Sequence, residues 1–266
     1  MNPDFSVLGQ TGLLPLWGRY QWHLNPLLDF KDPVSERMVK SLDYDFSSID
    51  RKIGGYGIAA WGNRTYQIDQ ISRAHLLQPQ ACVVNLGVGL DDPFSRIYQG
   101  RGRVLDCDFE DVLNFRDQFI QADPMRTMVR DSFLAFSWVN TVKAWQLEEP
   151  LICLAGVSMY LKPEQIEELL RKVYSAFPKA KMVFDALSPW GIQLLNKGMA
   201  ESELPQEPVF WGLKDKQSLL PCLPEHAVVQ IESLFKGLPP GVADFKTQLQ
   251  IAAANLIGIS KLVRIS

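Results

Sequence analysis

Residues Ala81 to Asp91, reading Ala-Cys-Val-Val-Asn-Leu-Gly-Val-Gly-Leu-Asp, leave this chain few folds to choose from. A short, continuous apolar run is the mark of a strand buried on both faces of a parallel sheet. It opens into a Gly-X-Gly turn, where missing side chains let the backbone pass close to a ligand. A second run, Arg103-Val104-Leu105, ends in Asp106-Cys107-Asp108. A carboxylate about 20 residues beyond such a turn, at the tip of the next strand, is placed to accept hydrogen bonds from a ribose. The pattern predicts a ligand that contains a nucleoside.

The turn also says which ligand it disfavours. A dinucleotide turn uses a third glycine, G-x-G-x-x-G, to pack strand against helix and leave room for a pyrophosphate. Here that position is Asp92, preceded by Asp91. Two carboxylates at a helix start are expected to repel a pyrophosphate and to suit a ligand with a positive centre. S-adenosylmethionine carries a sulfonium, an ammonium and a ribose, and no phosphate.

From about residue 80 the chain alternates strand and helix. Strands are expected at 81–86, 103–107, 127–130, 150–155, 181–185, 208–213 and 227–234, with Lys261 to Ile265 as an edge strand. The clearest helix is Pro163 to Phe177. Its apolar residues Ile166, Leu169, Leu170, Val173, Tyr174 and Phe177 share one face. Such alternation argues for an α/β fold, a mostly parallel sheet with helices on both faces. Its ligand site lies beyond the carboxyl ends of the strands, where Gly87, Asp108, Asp131 and Ala155 all fall. Residues 1–75 do not alternate. They are rich in aromatics, including Trp17, Trp22 and Trp61, and are expected to form an N-terminal helical lid over a core of residues 76–266. Glu201 to Pro208 and Lys236 to Gly241 read as surface connections.

Composition closes off several classes. A chain of 266 residues with 47% hydrophobic content can bury a full core. A net charge of −3 without a basic run gives no case for nucleic acid. The most apolar late segment, Ile251 to Ile259, is too short to span a bilayer, and no secretory leader is evident, so the cytosol is the expected compartment. The cysteines Cys82, Cys107, Cys153 and Cys222 form no C-x-x-C pair, and His23, His75 and His226 are far apart. No metal site is expected.

Several segments together resemble the leucine carboxyl methyltransferase family, and within it the bacterial tetracenomycin-type polyketide O-methyltransferases. They are Lys31-Asp32-Pro33-Val34 with Leu42-Asp43-Tyr44-Asp45-Phe46, Asn63-Arg64-Thr65 with Ile68-Asp69, and Val83 to Asp91. Cys107-Asp108-Phe109, Arg130-Asp131-Ser132 with Trp138, and Gly156-Val157-Ser158-Met159-Tyr160-Leu161 complete the set in order. The resemblance implies a class I methyltransferase, a Rossmann-like, mostly parallel seven-stranded sheet with an N-terminal helical cap. It implies S-adenosylmethionine as donor, S-adenosylhomocysteine as product, and a small-molecule carboxylate as acceptor. Carried over residue by residue, Arg64 pairs with the methionyl carboxylate, and Gly87 and Gly89 pass under the methionyl part. Asp108 holds the ribose hydroxyls, Asp131 and Ser132 address the adenine, and Tyr160 shapes the floor near the methyl group.

One position departs from the family. Where it usually has Glu before the glycine of this last segment, the chain has Ala155, which removes a carboxylate from the crevice. Either another acid compensates, or cofactor binding is altered, or the chain is a non-catalytic binding protein on a methyltransferase scaffold. A nicotinamide-dependent oxidoreductase is disfavoured by Asp92. A protein C-terminus remains an alternative acceptor. A carboxylic acid is already ionised at pH 7 and needs no base, whereas a phenol of pKa about 10 does. None of the three histidines falls in the matched segments, which favours a carboxylate.

Overall fold

The computed structural model describes residues 11–201 and 208–266. In chain order the elements are α1 (Leu13–Leu24), α2 (Pro33–Ser41), α3 (Ser47–Leu76), β1 (Cys82–Leu86), α4 (Pro93–Ile97), β2 (Arg103–Asp108), α5 (Glu110–Arg116), β3 (Arg126–Arg130), α6 (Ser137–Ala144), β4 (Leu151–Leu154), α7 (Pro163–Ala176), β5 (Lys181–Leu187), α8 (Pro189–Glu201), β6 (Val229–Ser233), α9 (Phe245–Leu256) and β7 (Ser260–Ile265). The strands form one seven-stranded sheet in the order β3-β2-β1-β4-β5-β7-β6. β1 to β5 are mutually parallel, and β7 runs antiparallel between β5 and β6. The alternation predicts such a mostly parallel sheet, and its seven strands agree with the fold that the resemblance implies.

Alternating side chains feed two cores. On one face Val84, Leu86, Leu105, Cys107, Ile152, Leu154 and Phe184 pack under Trp138 and Val142 of α6 and the apolar stripe of α7. On the other, Val83, Val104, Cys153, Val183 and Leu262 meet Ala59, Ile68 and Leu76 of α3 and Ile251 of α9. Burial on both faces is why β1, β2 and β4 read as unbroken apolar runs. The four cysteines are free and buried, as small packing residues.

Two strand expectations are corrected. Residues 208–213 are extended but join no ladder. Phe210 and Trp211 donate their N–H groups to the Met159 carbonyl, and Leu213 donates to Leu187. Val209 and Leu213 are buried there, so an apolar run is satisfied by loop packing. Lys261 to Ile265 is an interior strand and not an edge: Leu262 serves one core, Val263 and Ile265 the other. The edge falls to β6, whose residues are only half buried. Of the expected connection Glu201 to Pro208, residues 202–207 lie outside the described residues, as do residues 1–10 of the expected lid.

The N-terminal helices form a third core. Leu13, Leu16, Val34, Met38, Phe46 and Ile49 pack together with Leu90, Val112 and Phe115, which belong to the α4 approach and to α5. α3 serves both this core and the sheet, and it is broken at Gly54, where φ is +66°. Only glycine takes that conformation without steric cost. Beyond the break α3 lies close against α1: a Cβ added to Gly62 would sit 2.0 Å from Trp22 Nε1. Trp22 is fully buried and donates to the Ile58 carbonyl at 3.2 Å, so the indole has no free space to yield. Gly62→Ala should therefore lower stability by about 1–3 kcal/mol, the usual cost of overpacking, read as a fall in the urea midpoint. An unchanged midpoint would mean that α1 shifts freely on α3.

Candidate cofactor and active site

The strand order reverses between β1 and β4, the place where ligands bind on open α/β sheets. The two turns that leave the sheet there carry the glycines. Gly87 follows β1 with φ +68°, and a Cβ on it would lie 2.7 Å from Val157 Cγ2. Gly156 follows β4 with φ +76°, and a Cβ there would lie 2.4 Å from Arg64 Nη1. Both backbones are thus bare where two turns and a guanidinium crowd together.

Asp108 ends β2 and is buried. Its Oδ2 accepts from the Gly89 N–H at 2.6 Å and its Oδ1 from the Phe109 N–H at 2.8 Å. Burial raises its pKa, against these two donors. The carboxylate is fixed at the lip of the turn with lone pairs left for further donors. Ser132 caps the short turn after β3 by accepting from the Leu134 N–H at 3.3 Å. Asp131 Oδ1 accepts from the Ser132 N–H at 2.8 Å.

These features line a cavity of about 920 Å³. Arg64, Gly87, Gly89, Asp108, Ser132, Ala155 and Tyr160 all reach it, while Asp131 stands behind Ser132. Its remaining wall is mostly apolar, from Leu14, Tyr56 and Trp61 of the N-terminal helices to Trp190, Leu194 and Ile257 of α8 and the end of α9, with Gln165, Gln250 and Ser260 among its polar members. Among the described residues no histidine or lysine lines it. Pockets for one drug-sized ligand run about 300–1,000 Å³, and this cavity lies at the upper end of that range. The bare turn backbones, a ribose-height carboxylate and a guanidinium suited to a carboxylate fit S-adenosylmethionine.

The expected role of Asp91 and Asp92 is overturned. Neither presents an unpaired charge to the crevice. Asp91 pairs with Arg19 at 3.1 Å and with Arg96 at 2.8 Å. Asp92 pairs with Arg126, which also lies over the Phe94 ring. Arg96 further holds Asp69 at 2.7 Å and Asp32 at 3.2 Å, and Arg19 holds Asp32 at 3.0 Å. These acids are structural ties between the N-terminal helices and the glycine turn.

Sequence reasoning missed Asp185. It lies near the end of β5 on the same cavity, buried, with Oδ1 accepting from the Gly156 N–H at 2.6 Å and Oδ2 from Arg64 Nη1 at 3.1 Å. The signal was available: an acid closing an apolar strand, Met182-Val183-Phe184-Asp185, as in β2. It stands beside the position where Ala155 lacks the family carboxylate.

The model of the leucine carboxyl methyltransferase family matches residues 30–174, from the second N-terminal helix through α7. The chain belongs to the leucine carboxyl methyltransferase family. Its members use S-adenosylmethionine to transfer a methyl group, and this chain is a methyltransferase with that cofactor. The tetracenomycin polyketide synthesis O-methyltransferase TcmP of Streptomyces glaucescens is 27% identical over 186 residues, 69% of this chain and 67% of that protein. The fold is shared with a proposed methyltransferase from Thermobifida fusca YX, at a TM-score of 0.56 and 11% identity, covering 95% of this chain and 93% of the other. An S-adenosylmethionine-dependent methyltransferase from Anabaena variabilis matches at a TM-score of 0.52 and 12% identity, covering 100% and 97%. Among the described residues no helix is long and apolar enough to cross a membrane, and no group of His, Cys, Asp or Glu could hold a metal.

The tie network has a pH signature. Burial pushes Asp69 up to about 6, against the pull of Arg96. Burial would also raise Asp91, but Arg19 and Arg96 outweigh it and hold it at about 2. An unfolded aspartate titrates near 3.9. Between about pH 4 and 6 the folded chain therefore keeps the Asp69 proton that the unfolded chain has lost. Stability from this group falls as pH rises through that window. Asp91 acts in the opposite sense, losing its contribution as pH falls below about 4. Asp69→Asn should gain stability relative to the parent on going from pH 4.5 to 7, by about 2 kcal/mol. Equal pH slopes for the two proteins, read from urea midpoints, would show that Asp69 is ionised throughout.

Proposed function

We propose that this methyltransferase esterifies a carboxylate oxygen of an apolar small molecule held in the 920 Å³ cavity. The observation that carries the reading is the make-up of that cavity. One wall bears the cofactor motifs, and the rest is mostly apolar with no described histidine or lysine. Three carboxylates line it, and all are engaged: Asp91 by Arg19 and Arg96, Asp108 by two backbone N–H groups, Asp185 by Arg64 and Gly156. A site without a free base suits an acceptor already ionised at pH 7. The relative TcmP, named for tetracenomycin polyketide synthesis, supports a small-molecule acceptor over a protein terminus.

Bound S-adenosylmethionine supplies an electrophilic methyl group. Arg64 takes the methionyl carboxylate through its planar fork. Gly87 and Gly89 let the backbone approach the methionyl chain, and Asp108 accepts from the ribose hydroxyls. Ser132, with Asp131 behind it, meets the adenine end. Tyr160 shapes the floor below the methyl group, and Ala155 lies beside the methionyl part. Opposite charges cancel on the way to ester and thioether, so the apolar wall's exclusion of water leaves fixed groups to set the barrier. Alignment of two bound partners can supply about 7–11 kcal/mol of the acceleration. The helices of residues 11–75 act as the lid that completes this enclosure.

Asp108→Ala should weaken S-adenosylhomocysteine binding roughly tenfold to a hundredfold, the value of a charge-assisted hydrogen bond. Calorimetry that finds unchanged affinity in the folded variant would take the carboxylate off the ribose. With a methyl-tritiated donor and panels of aromatic carboxylic acids and phenols, the labelled product should release volatile methanol on mild base treatment, as an ester does. Label that resists base marks an aryl ether and overturns the carboxylate assignment. Cofactor should also slow proteolysis within residues 11–75; identical cleavage with and without it would remove the lid role.

A further inference from the structure

We infer that Arg64 and Asp185 act as a matched pair that reads the zwitterionic end of the cofactor, Asp185 taking the ammonium that Ala155 leaves without a family carboxylate. This rests on the cofactor assignment of the proposed function and adds to it a residue that the family motifs do not supply.

The first support is the state of the two side chains. Arg64 is 6% exposed and Asp185 5% exposed, yet both line the cofactor cavity. A buried ion pair that gives no further contacts is a poor source of stability, because desolvation offsets the attraction. Here the pairing is incomplete. Of the five N–H donors that a guanidinium carries, Nη1 alone has a partner among the described residues, Asp185 Oδ2 at 3.1 Å. Arg64 Nε is buried and unpartnered. Leaving such a donor dry costs about 1–3 kcal/mol or more, a cost that a bound carboxylate on that guanidinium would remove.

The second support is placement. Asp185 reaches the cavity from β5, the strand next to β4, and grips the Gly156 N–H at 2.6 Å. Its carboxylate is therefore fixed one residue from Ala155, at the level where the family motif carries its acid. Ser158 Oγ donates to the Asp185 carbonyl at 2.5 Å and anchors the strand end to the same turn. A buried carboxylate with unused lone pairs, beside a guanidinium with unused donors, presents both signs at one point. An α-amino acid carries both signs on one carbon. Binding it exchanges part of the internal pair for two complementary external contacts, so neither charge is left uncompensated. A side chain at position 156 would strike the Arg64 guanidinium, which explains glycine there.

The test compares three ligands by calorimetry: S-adenosylhomocysteine, its 4-thiobutyrate analogue lacking only the amino group, and 5′-methylthioadenosine, lacking the whole amino acid. The native protein should prefer S-adenosylhomocysteine over the deamino analogue by roughly tenfold to a hundredfold. Asp185→Asn, which keeps an acceptor for Gly156, should weaken S-adenosylhomocysteine by about that factor. It should leave the deamino analogue unchanged or tighter, since Arg64 no longer shares its charge. A parallel loss for both ligands would show that Asp185 only positions Arg64 and would overturn the inference. So would a native protein that binds the two ligands equally, a result that needs no variant to fold. Failure of the native protein to bind any of the three would sink the cofactor assignment itself.

Discussion

The buried cluster of Arg19, Arg96, Asp32, Asp69 and Asp91 is the constraint on which the rest of the molecule hangs. Three carboxylates surround two guanidinium groups, with every member largely removed from water. Each acid comes from a different place: the start of α2, the middle of α3, and the turn after β1. Burying a charge without a partner is far more costly than burying a pair. The N-terminal helices, the long helix on the sheet and the glycine turn must therefore arrive together or not at all. Arg19 also donates to the Leu90 carbonyl at 2.8 Å, and Arg116 to the Asp91 carbonyl at 3.0 Å. The glycine turn at the cavity is thus held from below by guanidinium groups. Its glycines are free of side chains without being floppy.

That arrangement separates two uses of charge. Acids beneath the turn are neutralised by arginines and fix geometry. On the cavity side, Asp108 is held by one backbone N–H group on each oxygen, and Asp185 by the Gly156 N–H on one oxygen and a single Arg64 nitrogen on the other; both keep lone pairs for a ligand. A carboxylate's function here follows from its partner. An arginine that grips both oxygens, as Arg96 does with Asp69, uses the acid up. One donor per oxygen leaves it available.

Most of the sheet was legible because its strands are buried on both faces, and continuous apolar runs ending in Gly or Asp are hard to mistake. The run 208–213 misled because apolar content reports burial, not pairing; Val209 and Leu213 are buried by loop contacts. Lys261 to Ile265 looked like an edge because its alternation is interrupted by Lys261 and Arg264, whose long side chains reach outward, Lys261 to the carbonyls of Leu213 and Lys214. The glycine turn and Asp108 could be read from local spacing. Asp91 and Asp92 could not, since their partners Arg19, Arg96 and Arg126 are brought in by other elements. Asp185 was hidden for the same reason: its meaning depends on Arg64, 121 residues earlier.

The interior position of β7 bears on how this protein is made. Among the described residues β6 pairs with no strand except β7, and β7 is the later of the two in the chain. During synthesis the five parallel strands can assemble in order while β5 presents an open edge. β6 emerges with nothing to hold it until residues 260–265 follow. Non-local pairing of this kind is slow and leaves strand edges exposed to other chains. The length of that exposed interval is set by sheet topology alone, whatever the methyl acceptor.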